Sequence, residues 1–137
     1  MPRFSSTSQA RLSTCHPDLQ VLFQRVVQSF DCTILEGHRG QAAQDAAFRE
    51  GKSQLRYPHG KHNALPSMAA DVAPYPIDWD DLSRFRYFAG YVQGVAEMLL
   101  LQGEMEYAVR WGGDWDQDTE LKDNTFNDLV HFELVEP

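Results

Sequence analysis

Two histidines and one aspartate in this 137-residue chain carry side chains that could hold one metal ion together. His62 lies in a short polar segment, Asp71 lies inside the apolar run 68–73, and His131 lies near the C-terminus. Two imidazoles and a carboxylate suit a catalytic zinc that keeps one position open for water. A carboxylate in an apolar run is also costly to bury unpaired, and a metal would remove that cost.

Each of these three residues also has an ordinary structural interpretation. His62 could be a solvated loop histidine, and Asp71 could cap a nearby backbone group at the end of a strand. His131 could lie on the polar face of an antiparallel strand, which is a common position for histidine. The spacing in the sequence does not by itself decide between these interpretations and a metal site.

Two acidic residues beside His131 are candidates for a general base. Asp128 precedes the last predicted strand and could bring its carboxylate near the metal, although aspartate is also common in turns. Glu133 shares a strand face with His131 because strand residues alternate, so it competes for the same role. Both assignments stay open on the residues alone.

Arg39 is a candidate for binding or stabilising negative charge. Gly37 and Gly40 enclose it in a tight loop after a predicted strand, which would aim its side chain in a specific direction. A guanidinium group in that position could bind a substrate carboxylate or stabilise a developing oxyanion. It could instead be a surface arginine paired with an acid on a helix.

The composition excludes several classes of function. A net charge of −8 argues against binding nucleic acid, which needs clustered Lys and Arg. No apolar run reaches the roughly 20 residues of a membrane helix, and the N-terminus lacks the apolar core of a signal peptide, so we expect synthesis in the cytosol. Cys15 and Cys32 are too few for a disulfide framework and are interpreted as small buried residues. Nucleophile-elbow, P-loop and dinucleotide-binding motifs are absent from the sequence.

The apolar periodicity predicts one α+β domain over residues 1–137, with helices packed on a small sheet. A polar arm is expected over residues 1–14, and loops over 52–61 and 116–127 are expected to form the walls of a cleft. The predicted helices run from Pro17 to near Ser29, from 41 to 50, and from about 82 to Gly103. The predicted strands cover 31–36, 68–73, 107–111 and 130–135.

Taken together, these segments resemble the zinc peptidases of the D-alanyl-D-alanine carboxypeptidase and L-alanyl-D-glutamate endopeptidase family. Residues 61–79 resemble its His…Ala-x-Asp segment, and Asn63-x-x-Pro66-Ser67 is similar to the variant in its phage and prophage branch. Residues 36–39 resemble its Gly-aromatic-Arg element, and residues 110–115 and 128–134 resemble its C-terminal half. The similarity spans roughly residues 10–135 in matching order.

The resemblance implies a fold and a set of roles. The fold is of the hedgehog/D-Ala-D-Ala peptidase type, in which a small antiparallel sheet carries the zinc site. The implied Zn²⁺ ligands are His62, Asp71 and His131. Asp128 is implied as the catalytic carboxylate, and Arg39 as the residue that stabilises charge on the scissile carbonyl or binds a substrate carboxylate. The implied substrate is a peptide bond in the stem peptide of bacterial peptidoglycan.

Some positions depart from the family pattern. Gly60 stands where many members have serine, and His38 stands where tyrosine is frequent. The span from His62 to Asp71 is longer than in the commonest version. Many carboxypeptidase members have glutamate at the position of Asp128, so the aspartate favours the endopeptidase branch of the family over the dipeptidase branch.

The expected partner is the peptidoglycan stem peptide, with no nucleic acid and no membrane, and the expected state is a monomer. By resemblance to the phage branch, the protein would be made in the host cytoplasm and act on the cell wall after release. Two alternatives are a D-Ala-D-Ala carboxypeptidase and a catalytically inactive, zinc-stabilised protein that binds the wall or belongs to the virion.

Overall fold

The computed structural model describes residues 1–124 and 126–137. Its helices are α1 (Ser6–Leu12), α2 (Pro17–Val27), α3 (Gln41–Arg49) and α4 (Leu82–Leu101), with a short 3-10 turn at Lys61–Asn63. Its strands are β1 (Cys32–Glu36), β2 (Ala69–Pro74), β3 (Ala108–Gly112) and β4 (Asp128–Val135). Among the described residues, no helix combines the length and the hydropathy that crossing a membrane requires.

The four strands form one antiparallel sheet in the order β1-β2-β4-β3. The register of β2 against β4 places Asp71 directly opposite His131. On the other side of β4, Trp111 of β3 lies opposite Phe132 and Gly112 lies opposite Asp128. This arrangement confirms the predicted α+β fold with a small antiparallel sheet.

One face of the sheet packs against α2 and α4. The ring of Phe132 in β4 contacts those of Phe23 in α2 and Phe88 in α4, with centroids 5.6 and 6.1 Å away. Because side chains alternate along a strand, Asp71 and His131 point to the opposite face. The sheet therefore separates an apolar core from a polar site. Other fully buried members of the core are Leu12, Leu19, Leu22, Val26, Ile34, Ala70, Val72, Ala89, Val92 and Leu134.

The ends of the two longest helices follow from local sequence. Before α2, the Nδ1 atom of His16 accepts a hydrogen bond from the backbone N–H of Asp18 at 3.0 Å, and Pro17 takes the first helical position. Before α4, the carboxylate of Asp81 accepts a backbone N–H from the first turn at 3.2 Å. Beyond its end, Gly103 has a φ of 78°, which favours glycine.

The predicted polar arm over residues 1–14 is wrong, because this segment contains α1. Ser5 caps the helix by accepting the backbone N–H of Ser8 at 3.1 Å, and Leu12 is fully buried. The Ser8 hydroxyl in turn accepts the backbone N–H of Ile34 in β1 at 3.1 Å. A helix with one buried leucine has too little apolar periodicity to be recognised from sequence. Two bounds also differ slightly from the prediction: α2 ends at Val27 instead of near Ser29, and β4 begins at Asp128 instead of at residue 130.

Both cysteines are buried and free, as predicted, and burial raises the pKa of Cys15 to about 11 and that of Cys32 to about 12. At pH 8, Cys15 should react with a thiol reagent at least about 100-fold more slowly in the folded chain than in denaturant, since only the thiolate reacts. Timed reaction with a chromogenic disulfide in both states measures this.

The same pKa shifts predict how stability depends on pH. The folded-state pKa values lie above the unfolded value of about 9, so the stabilisation from the thiols is complete below that pH and is lost as the pH rises through 11 to 12. Rapid modification of Cys15 or Cys32 in the folded chain at pH 8 would contradict their burial.

Candidate metal centre and cleft

The three predicted ligands lie together on the polar face of the sheet. The Nε2 atom of His62 is 3.1 Å from Oδ1 of Asp71, and the Nδ1 atom of His131 is 3.3 Å from the same oxygen. One donor atom from each residue lies within 4.8 Å of the other two. The group could therefore hold a single metal ion.

Two strands and a short 3-10 turn position these side chains. Asp71 and His131 are cross-strand partners in β2 and β4, so the sheet register fixes their separation. His62 comes from the short 3-10 turn, whose backbone is tied to the loop after β1 by a hydrogen bond from Arg39 N–H to the His62 carbonyl at 2.8 Å.

In each imidazole ring, one nitrogen (the inner one) lies near Asp71 and the other (the outer one) points away from it. Each outer nitrogen has its own hydrogen-bond partner. Nδ1 of His62 lies 2.7 Å from the carbonyl oxygen of Gly37 and can only donate to it. Nε2 of His131 lies 2.7 Å from Oε1 of Glu133, whose other oxygen accepts from Arg110 Nη2 at 2.6 Å. If both outer nitrogens donate, the inner nitrogens present lone pairs toward Asp71, which is the arrangement that metal-binding histidines show.

The electrostatics of the cluster favour a positive charge at its centre. Burial opposes ionisation of Asp71, but hydrogen bonds with His131 and His62 and their charges hold its pKa well below the usual range. Burial opposes a charge on His131 as well, yet hydrogen bonds to Asp71 and Glu133 raise its pKa to about 9. Two nitrogens and a carboxylate that attract positive charge fit a divalent ion such as Zn²⁺.

Asp128 begins β4 and lines the same cleft as His62, His131 and Arg39. Gly112 lies opposite it, and a Cβ there would collide with the Asp128 backbone, so glycine permits this close approach. Burial and the charge of Asp71 raise the pKa of Asp128 to about 6, against the opposing effect of the cations around it. A divalent ion on the neighbouring ligands would lower this pKa.

The loop between Gly37 and Gly40 aims Arg39 at the cluster, as its sequence indicated. Arg39 Nη2 lies 3.6 Å from Oδ2 of Asp71. Its hydrogen bonds run from Nε and Nη2 to Oε1 of Glu36, at 2.9 and 2.5 Å, and from Nη1 to Oε1 of Gln44 at 2.9 Å. The guanidinium group is thus held in place beside the cluster and also faces the cleft.

The cleft above the cluster has a volume of about 480 Å³, within the usual size of a ligand site. Residues of both predicted loops form its walls, and His59 and Lys61 are among those from the loop 52–61. Trp115 also lines it, with its ring centroid 5.3 Å from that of His131. His38 does not line the cleft, and Trp111 is buried in the core.

Comparisons with known proteins are consistent with this geometry. A family model described as phage L-alanyl-D-glutamate peptidase matches residues 1–135. The chain belongs to this family. The resemblance drawn from residues 61–79 and 128–134 is thereby confirmed.

A solved structure shares the fold of this phage peptidase family member. It is the L-Ala D-Glu endopeptidase ChiX of Serratia marcescens, which superposes with a TM-score of 0.72 at 28% sequence identity. The match covers 97% of this chain and 90% of the ChiX chain. No curated protein sequence matches the chain.

Sequence analysis missed the role of Gln44. This side chain is fully buried although it lies in an alanine-rich helix, where a glutamine resembles a surface residue. Its Oε1 accepts from Arg39 at 2.9 Å and from Asn63 Nδ2 at 3.2 Å, and its Nε2 donates to the Leu55 carbonyl at 2.6 Å. Gln44 thus joins the three loops around the cluster. Its placement on the same helical face as the buried Ala47 was the one available indication.

The glycine at position 60, where many family members have serine, is explained by its neighbours. Asn63 Oδ1 accepts the Gly60 N–H at 2.8 Å, and a Cβ on Gly60 would lie 2.8 Å from that oxygen and 3.2 Å from Gln44 Oε1. The Asn63 side chain also donates to the Arg39 carbonyl at 3.0 Å. Asn63 and Gln44 therefore fill the space that a side chain at position 60 would occupy.

Gly60→Ala should lower the free energy of unfolding by about 1–2 kcal/mol, because it displaces the hydrogen-bonded Asn63. Gly94→Ala in α4 is the matched control: its Cβ meets open space, and alanine favours the helix, so a small gain is expected. Urea unfolding followed by circular dichroism compares the two. Equal effects of the two substitutions would show that position 60 is not restricted.

Proposed function

We propose that this chain is a zinc-dependent peptidase that hydrolyses the L-Ala–D-Glu bond in the stem peptide of peptidoglycan. The observation that carries the proposal is the convergence of His62, Asp71 and His131, with each outer ring nitrogen engaged so that the inner nitrogen faces the shared centre. The membership of the family and the activity named for ChiX supply the substrate class. His62 Nε2, His131 Nδ1 and the Asp71 carboxylate would hold the ion.

Zn²⁺ held at this point would supply Lewis-acid activation of the attacking water and the scissile carbonyl. The side chains of the chain supply the proton transfers and the positioning. We assign the general base to Asp128, which would take a proton from the attacking water and return it to the leaving amine. Its carboxylate lines the cleft together with His62 and His131, which places it within the site where the attacking water would be held.

Glu133 is a weaker candidate for the general base because both of its oxygens are engaged. Oε1 contacts His131 and Oε2 accepts from Arg110 at 2.6 and 3.2 Å. The hydrogen bonds to His131 and Arg110 hold the pKa of Glu133 below its usual range, although burial acts in the other direction. We therefore assign Glu133 to the orientation of the His131 ring.

Arg39 places a fixed positive charge beside the cleft. In the proposed reaction it stabilises the negative charge that develops on the scissile carbonyl, or it binds a carboxylate of the stem peptide. Its hydrogen bonds to Glu36 and Gln44 fix the guanidinium plane before substrate arrives, so no reorganisation is needed during the reaction.

We further propose that residues 1–137 act as one peptidase domain, since the core unites α1 near one end of the chain with β4 near the other. The expected working state is a monomer that acts on the cell wall after release from the host cytoplasm, as the phage family implies. The catalytically inactive alternative is disfavoured because the side chains proposed for proton transfer and charge stabilisation, Asp128 and Arg39, line the same cleft as His62 and His131.

Digestion of purified peptidoglycan followed by mass spectrometry tests the proposed reaction. The expected products carry new free N-termini at D-glutamate. Release of D-alanine instead would identify a carboxypeptidase. The absence of any product from zinc-loaded protein would indicate a wall-binding or virion protein.

A further inference from the structure

Positive side chains line the cleft above the metal centre, and carboxylates of the chain already neutralise most of them. The lysine and arginine residues in the described lining are Arg39, Lys52, Lys61 and Arg110. Three of them form ion pairs: Arg39 Nη2 with Glu36 at 2.5 Å, Lys52 Nζ with Glu50 at 3.1 Å, and Arg110 Nη2 with Glu133 at 2.6 Å. Lys61 is the exception, since it has no carboxylate partner within the part of the chain that the structure describes.

Lys61 is held in place through both its backbone and its side chain. It begins the short 3-10 turn that also carries His62, so it adjoins a proposed metal ligand. Its carbonyl accepts the backbone N–H of Met68 at 3.0 Å. Its ammonium group donates to the Leu134 carbonyl at 2.6 Å, in the same strand as His131. An ammonium group has three N–H donors, so this contact leaves two of them for a ligand.

The charge of Lys61 is incompletely compensated, although the chain has 20 Asp and Glu against 12 Lys and Arg. The residue is half-buried, and the acceptor that the described residues give its ammonium group is a neutral carbonyl oxygen. Withdrawing a charge from water is costly unless an opposite charge or further hydrogen bonds replace the water. Lys61 therefore presents a positioned cation that favours an anionic group of a ligand in the cleft.

The substrate in the proposed function carries such a group beside the bond that is cut. Glutamate has two carboxyl groups, and only one of them can form the amide bond to the next residue of the stem peptide. The other is a free carboxylate unless it is converted to a carboxamide. It belongs to the residue that supplies the leaving amine, so it enters the cleft together with the scissile bond.

We propose that Lys61 binds this free carboxylate of D-glutamate and makes the enzyme select stem peptides that carry it over those that carry the carboxamide. The inference rests on the proposed function, because it concerns the same substrate. It also leaves Arg39 the stabilisation of the scissile carbonyl, since Glu36 and Asp71 already contact its guanidinium group.

Two synthetic stem peptides that differ only in this group, carboxylate or carboxamide, test the proposal with the zinc-loaded chain. The wild-type kcat/KM should be about tenfold or more higher for the carboxylate peptide, the usual effect of one hydrogen-bonded charge pair. Lys61→Met should lower kcat/KM for the carboxylate peptide and change it much less for the carboxamide peptide, so that the preference disappears. A purely structural role of Lys61 would lower both values equally.

Lys61→Gln and Lys52→Met are the companion variants. Glutamine removes the charge but can still donate to the Leu134 carbonyl, so it should lose the preference without disturbing the end of β4. Lys52 lines the same cleft but is exposed and paired with Glu50, so Lys52→Met should keep the preference. Circular dichroism melting verifies that each variant is folded.

A tenfold preference that persists in folded Lys61→Met, or equal cleavage of the two peptides by the wild type, would overturn the proposal. If neither peptide is cleaved, the proposed function fails, and calorimetric titration of the same two peptides as ligands decides the inference. Tighter binding of the carboxylate form that Lys61→Met loses would support it. Absence of that difference in binding would overturn it.

Discussion

Asp128→Ala should leave the metal content unchanged and lower the rate of peptidoglycan hydrolysis by about 10²- to 10⁴-fold, the usual contribution of a general acid–base group. The carboxylate lines the cleft beside His62 and His131 but is separate from the three ligands, so its loss removes proton transfer and leaves the ligand set intact. Metal analysis combined with turbidity assays on purified cell walls measures both quantities. The control is Asp80→Ala, which removes the same charge from an exposed aspartate that does not line the cleft.

The choice between Asp128 and Glu133 is decided by comparing single substitutions. Glu133→Gln should weaken metal binding, because it alters the partner that orients the His131 ring, whereas Asp128→Asn should not. Asp128→Glu should recover part of the activity, since glutamate is frequent at this position in the related carboxypeptidases. Full activity of Asp128→Ala would show that Asp128 is not the general base and would assign this role to Glu133.

Removal of the metal should abolish hydrolysis, and added Zn²⁺ should restore it. An ion that activates both water and carbonyl supplies several kcal/mol to the transition state, which corresponds to a loss of about 10³-fold or more. His62→Ala and Asp71→Ala should each lose the bound metal as well as the activity, because each removes one of the three proposed ligands. Dialysis against a chelator, followed by stepwise zinc addition, provides the measurement.

His38→Ala is the matched control for the ligand substitutions. This histidine lies in the loop next to Arg39 but does not line the cleft, so its replacement should preserve the metal content. An unchanged rate of hydrolysis after complete removal of the ion would rule out the proposed mechanism. Zinc bound at full stoichiometry by Asp71→Ala would show that the ligand set is different.

The parts of the site that sequence could predict are those governed by short-range periodicity. Alternation along the last strand predicted that His131 and Glu133 share one face, and the structure confirms this. Their side chains are also in contact, at 2.7 Å. The glycines around Arg39 indicated a tight loop, and the apolar run around Asp71 indicated a strand. The meeting of these segments followed only from the family resemblance, because nothing local in the sequence relates β2 to β4.

The parts that sequence could not predict depend on contacts between distant segments. Gln44 is buried because its side-chain amide forms hydrogen bonds with Arg39, Leu55 and Asn63. The sequence of its own helix does not show that the loops carrying these residues pack against it. Arg110 reaches across from β3 to Glu133, which sequence analysis treated only as a possible base. The helix α1 is held by Leu12 and by the Ser8 hydroxyl on β1, and neither is visible in local periodicity.

The direct pairing of Asp71 with His131 has a practical consequence for work with this protein. A slip of one residue between β2 and β4 would turn His131 toward the core side and bring an apolar neighbour into its place. Chains with a slipped strand would therefore fail to take up the ion. Co²⁺ bound at such a centre would absorb visible light. Its absorbance in a crude lysate would then measure the amount of natively folded protein, and it would rank variant libraries without any substrate.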